Sequence, residues 1–128
     1  MPALRRLLIA ALLVAAPVSA APAQDVARFL VRVDKLLARG PFALFSRDFY
    51  RLKREVEADG DMLKQEYARE KAAGRATSFC PPAHGKPRVS KNEYLAALRA
   101  VPVAKRSTTD TKDVLRTVLE HKYPCRKG

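Results

Sequence analysis

The chain holds two cysteines, Cys80 and Cys125, and nothing constrains its fold more than whether they are joined. By the chain-entropy model a bridge across that separation contributes roughly 4 kcal/mol. Small domains have a net stability of only about 5–15 kcal/mol, so one such crosslink is a large share of the whole. Thiols oxidise or stay reduced according to the compartment they occupy.

The compartment is written in the first 23 residues, MPALRRLLIAALLVAAPVSAAPA. Arg5 and Arg6 form a positive start, and Leu7 to Ala16 is an apolar run too short to span a bilayer. Pro17 breaks the run. Val18-Ser19-Ala20 and Ala21-Pro22-Ala23 both place small residues where a signal peptidase reads them. Residues 1–23 are therefore expected to be a cleavable signal peptide, and residues 24–128 a periplasmic or secreted domain. The alternative, an uncleaved anchor, fits this anatomy less well. Export makes a Cys80–Cys125 disulfide the favoured state.

A second use of the same residues stays open. Cys80-Pro-Pro-Ala-His84 and His121-Lys-Tyr-Pro-Cys125 pair the two cysteines with the two histidines of the chain, a donor set that suits tetrahedral zinc. That arrangement needs reduced thiols and needs proline-bearing segments to aim two ligands at one point. No metal or cofactor is expected.

Hydrophobic periodicity predicts an all-α domain of about four helices. Gln24 or Asp25 caps a first helix whose apolar face is Val26, Phe29, Leu30, Val33, Leu36 and Leu37, ending at Gly40-Pro41. The other face of that helix is basic, which also suits a membrane surface. Phe42, Leu44 and Phe45 form an apolar knot, expected as one short helical turn. Ser46 caps a long helix over 47–73, with Gly74 as its stop. Asp59-Gly60-Asp61 could turn the chain there. However, Leu52 and Leu63, like Val56 and Tyr67, stand eleven residues apart, close to three full helical turns, so one helix is predicted to run through. Its apolar stripe is narrow. Its outer face is expected to be solvated and laced by the pairs Arg51–Glu55, Lys53–Glu57 and Glu66–Arg69.

Residues 75–89, RATSFCPPAHGKPRV, are predicted to be a loop held at Cys80, because three prolines and a glycine forbid regular structure. Ser90-Lys-Asn-Glu93 is a capping box opening a short helix with Tyr94, Leu95 and Leu98, which ends near Pro102. A cap within Ser107 to Asp110 opens the last helix, Val114, Leu115, Val118 and Leu119. Tyr123-Pro124-Cys125 ends that helix and turns the chain toward Cys80.

Chemistry is sparse. No nucleophile elbow, zinc-protease helix or phosphate loop is present. His84 is the best lone acid–base candidate, and a non-catalytic protein is expected. The formal charge is +12. Without the leader, 23 Lys and Arg face 13 Asp and Glu, a charge of +10. In an exported protein this points away from nucleic acid; the excess suits anionic envelope components or an acidic protein cleft, or simply keeps a small exported protein soluble. No segment of 24–128 is apolar enough for stable membrane insertion.

The C-terminal half carries a motif order: Cys80-Pro81-Pro82, the Ser90 helix with Tyr94, Leu95 and Leu98, then Pro102 and Arg106, and a last helix closed by Tyr123-Pro124-Cys125. This order resembles the Rap/Tai family of small periplasmic immunity proteins of type VI secretion. The resemblance covers Cys80 to Cys125. It implies a mostly helical exported domain with a Cys80–Cys125 bridge. Family members bind and block peptidoglycan-cleaving effector enzymes, often as dimers, so a hydrolase effector is the expected partner and a homodimer an open expectation. Family members usually carry a further cysteine and a glycine-containing helical stretch ahead of the proline loop. Here residues 47–73 form a charged helix without cysteine. Loop residues Pro82, His84, Lys86 and Arg88 are the expected contact. The competing expectation is a basic periplasmic protein that binds peptidoglycan or anionic lipid directly.

Overall fold

A computed structural model describes residues 24–126; the expected signal peptide lies outside the described residues. The domain is all-α, with helices α1 (Val26–Leu37), α2 (Arg47–Ala72), α3 (Lys91–Ala100) and α4 (Thr111–Lys122). Short 3-10 turns at Gly40–Phe45 and Val103–Lys105 join α1 to α2 and α3 to α4. Among the described residues the β pairing is a single antiparallel bridge, Asp25 with Asp110.

Each helix begins where a short polar side chain satisfies free amides. Asp25 accepts from Arg28 N–H at 2.9 Å, Ser46 from Phe49 N–H at 3.2 Å, and Asp110 from Lys112 N–H at 2.8 Å. The predicted capping box is complete: Ser90 Oγ accepts from Glu93 N–H at 3.1 Å, and Glu93 accepts from Ser90 N–H at 2.7 Å. The Ser46 hydroxyl also donates to Ala43 O at 2.7 Å, so one side chain joins the 3-10 turn to α2.

α2 runs unbroken through Gly60, as the eleven-residue spacing predicts. It stops at Gly74, whose φ of +66° is the left-handed conformation that favours glycine. There Gly74 N–H donates to Lys71 O and Arg75 N–H to Glu70 O, closing the two bonds of a Schellman stop.

The core is one cluster drawn from all four helices. Val26 and Leu98 are wholly buried, with Phe29, Leu30, Leu52, Leu63, Leu115 and Leu119 around them. The far end of α2 is covered too, contrary to what its narrow stripe suggests: Tyr67 stacks on Phe79 of the proline loop with centroids 5.6 Å apart.

The charged surface of α2 departs from the expected solvated face. Of the three predicted local pairs only Lys53–Glu57 forms, at 3.6 Å. Glu55 instead takes both Arg32 Nη atoms, at 2.7 and 3.0 Å, and the amide of Gln24. Glu66 takes Lys112 and Arg116, each at 2.7 Å. Between them buried Asp59 accepts from the Thr111 hydroxyl at 2.7 Å. Positions 55, 59 and 66 share one side of the helix, so α2 presents an acidic stripe to partners on α1 and α4. Local pairs are worth only a few tenths of a kcal/mol. Interhelical pairs with multiple hydrogen bonds in a partly dehydrated seam outcompete them. Glu55 shows the balance: burial raises its pKa, yet the bonds from Arg32 and Gln24 and the charges of Arg32 and Arg51 bring it below the ordinary value.

Candidate partner-binding site

The disulfide is formed. Cys80 and Cys125 are bonded, with Cα atoms 4.9 Å apart. The open zinc alternative is thereby removed, since the bond consumes both thiols of the Cys80, His84, His121, Cys125 set. His84 and His121 are exposed. Among the described residues no cluster of three or more His, Cys, Asp or Glu could hold a metal ion.

The proline loop is fixed at both ends by Tyr123. Its backbone carbonyl accepts from Cys80 N–H at 2.8 Å. Its phenol oxygen accepts from Arg88 N–H at 2.9 Å and donates to Arg88 O at 3.3 Å. The sequence marks Tyr123 as the end of α4; the structure adds that it clasps the loop. Within that clasp Pro82 is half-buried, while His84, Lys86 and Arg88 project into solvent. Gly85 turns the chain at their centre with φ +87°.

The linker Pro102 to Arg106 is similarly built. Arg106 donates from Nε to Val101 O at 2.9 Å and from Nη2 to Arg99 O at 2.8 Å, closing the C-terminal end of α3. Its own carbonyl accepts from Ala27 N–H at 3.1 Å. One arginine thus joins the end of α3 to the start of α1.

A large concavity lies beyond the loop. A groove of about 800 Å³ runs between α1, the first 3-10 turn, the start of α2 and the start of α3. α1 contributes Phe29, Val33, Leu36 and Leu37. The turn adds Pro41 and Leu44, and α2 adds Phe49, Leu52 and Val56. Val89, Tyr94 and Leu95 close the far wall over Leu115. The rim carries Lys53, Glu57 and Lys91. Leu37 and Leu44 leave 59% and 50% of their surface in water at the groove's edge, which makes it an unfilled apolar seat.

None of Pro82, His84, Lys86 and Arg88 lines this groove; the residues that follow them, Val89 to Asn92, do. The sequence assigns Phe29, Val33 and Leu36 to a core face, and they are on one. Periodicity identifies an apolar face without saying whether another element covers all of it. Of the apolar knot at 42–45, Leu44 lines the groove and Phe42 and Phe45 do not.

The phenol of Tyr94 in the groove wall is engaged in structure. The Tyr94 hydroxyl donates to Thr111 O at 3.3 Å, and burial, with the charges of Asp59 and Asp110, pushes its pKa well up. What the groove offers chemically is removal of an apolar partner surface from water. The described residues form a disulfide-closed helical domain with a large apolar groove. Comparison with family models, with curated proteins and with solved structures finds no match.

Proposed function

We propose that the protein is an exported, non-catalytic binding protein that holds a segment of another protein in the groove between α1 and α3. We further propose that the partner is a peptidoglycan-cleaving effector enzyme, neutralised by occlusion of its active site. The observation that carries the binding reading is the groove itself, with Leu37 and Leu44 at its open edge. An amphipathic helix laid into such a groove buries its apolar face at about 25 cal/mol per Å². The motif order from Cys80 to Cys125 supplies the choice of partner. The basic surface favours approach to the acidic cleft of an enzyme that binds cell-wall polymer.

The test is complex formation on a sizing column between the protein and peptidoglycan hydrolases encoded beside it, together with cell-wall turbidity assays. A complex and slowed clearing are expected, both weakened at least tenfold by Leu37→Asp with Leu44→Asp. Sedimentation of the protein with purified cell wall, abolished by salt, with no hydrolase complex, would instead establish the direct envelope-binding alternative.

A further inference from the structure

Phe42 and Phe45 leave 81% and 82% of their surface in water, and neither lines the groove. They stand three residues apart in the 3-10 turn Gly40–Phe45, where positions i and i+3 eclipse, so both rings leave the fold on one side. The chain around them is strongly basic: residues 35–54 hold six cations and one acid. The acid, Asp48, pairs with Arg39 at 2.8 Å, and Lys53 pairs with Glu57. Lys35, Arg47, Arg51 and Arg54 have no carboxylate within ion-pair distance among the described residues. Positions 47, 51 and 54 follow i, i+4, i+7 spacing. They share the outward side of α2 with half-exposed Tyr50, opposite the buried side of Leu52 and Leu63.

We propose that this corner, the Phe42–Phe45 turn with the outward face of the first two turns of α2, docks reversibly on an anionic phospholipid bilayer. The two phenyl rings carry no polar atom, so they enter the acyl boundary without leaving a donor or acceptor unpaired. The unpaired guanidinium groups of Arg47, Arg51 and Arg54 meet lipid phosphates, the acceptors their forked donors fit best. Tyr50 suits the headgroup level, where an amphipathic ring is favoured. Apolar rings beside unpaired cations of one sign are the composition of an interfacial anchor, and the charge match selects anionic lipid over zwitterionic lipid. The same turn lends Pro41 and Leu44 to the groove, whereas Phe42, Phe45, Arg47 and Arg51 do not line it, so substitutions at these four test the lipid surface without altering the groove's lining.

The chain has no tryptophan, which makes a single Phe42→Trp substitution a clean reporter. With vesicles of phosphatidylglycerol and phosphatidylcholine, Phe42→Trp is expected to shift its emission to the blue. Val103→Trp, at the other exposed 3-10 turn, is expected to stay as in buffer. Vesicle co-sedimentation should weaken at least tenfold in Phe42→Ser with Phe45→Ser. It should weaken about fivefold for each of Arg47→Gln and Arg51→Gln. Circular dichroism before mixing verifies that each variant is folded. Equal binding to pure phosphatidylcholine vesicles, unchanged binding of the double serine variant, or an equal blue shift at position 103 would overturn the proposal. So would salt-sensitive binding that the phenylalanines do not affect, which would mark a purely electrostatic surface.

Discussion

Asp59, midway along α2, accepts the hydroxyl hydrogen of Thr111, the first residue of α4, across 2.7 Å and 52 positions of sequence. Both side chains are buried, Thr111 completely. The same threonine donates its backbone N–H to Gln24 O at 2.9 Å and accepts from Tyr94 at its carbonyl. The start of the domain, α2, α3 and α4 therefore converge on one residue. Thr111→Val keeps the shape and leaves a buried carboxylate short of its donor. A loss of about 1–3 kcal/mol in urea unfolding is expected. An unchanged midpoint would remove this network from the account of stability.

The same carboxylate has a pH signature. Burial raises the pKa of Asp59, helped by the negative charges of Asp110 and Glu55, against the Thr111 bond and the charge of Lys112. A native acid with a raised pKa binds more protons than the unfolded chain, so its contribution to stability falls as pH rises through the folded value. Glu93 acts in the opposite sense. Its bonds from Ser90 and Lys122 hold it down to about 2, so its stabilisation is in place above 4.5 and is lost as pH falls from there toward about 2. Asp59→Asn should gain stability relative to the wild type as pH rises from the acid range to neutrality. Denaturant midpoints for both proteins at a series of pH values would reveal it; a constant difference would contradict the burial of this charge.

Reducing the Cys80–Cys125 bond is expected to cost about 4 kcal/mol, since the loop it closes is long. Cys80 is also held to Tyr123 O by its backbone, so the loop's first anchor survives reduction in part. Thermal melts with and without reductant would measure the loss. A change below 1 kcal/mol would mean that the unfolded chain is already compact around this loop.

Arg106 is expected to be irreplaceable by lysine. Its guanidinium reaches Val101 O and Arg99 O together, which a single ammonium on a flexible stem does less well. Arg106→Lys should cost about 1–2 kcal/mol. Faster amide exchange at Val101 and Ala27 would localise the damage, whereas a variant as stable as the wild type would show that solvent caps α3 equally well.

Gly60 lies within α2, and a Cβ placed on it would meet nothing within 4 Å. Its backbone is ordinary helix, so Gly60→Ala is expected to stabilise by roughly 0.5–1 kcal/mol. A lower melting temperature for Gly60→Ala would show that the helix needs flexibility at this point.

Much of this arrangement is legible in the residues. The Ser90–Glu93 box, the Gly74 stop and the eleven-residue register of α2 are local signals, and each acts where it stands. The partners of Glu55 and Glu66 are not local. The i, i+4 rule offers Arg51 and the i, i+3 rule offers Arg69, but α1 and α4 bring Arg32, Lys112 and Arg116 into a drier seam with better geometry. The groove is hidden for a related reason. Val33 and Leu37 continue the same apolar face as Phe29, and only the course of α3 decides how much of that face stays open. Phe42 and Phe45 are apolar residues that the sequence groups in a knot and the fold turns outward.

The bridge between Asp25 and Asp110 fixes an order of events. Val26 N–H donates to Thr109 O and Thr111 N–H to Gln24 O, so the first described residues are pinned by the connection into α4. A polypeptide is synthesised from its amino end. The opening segment therefore cannot complete this pairing until nearly the whole domain has emerged. Only then does the clasp shut and the last cysteine come within reach of its mate.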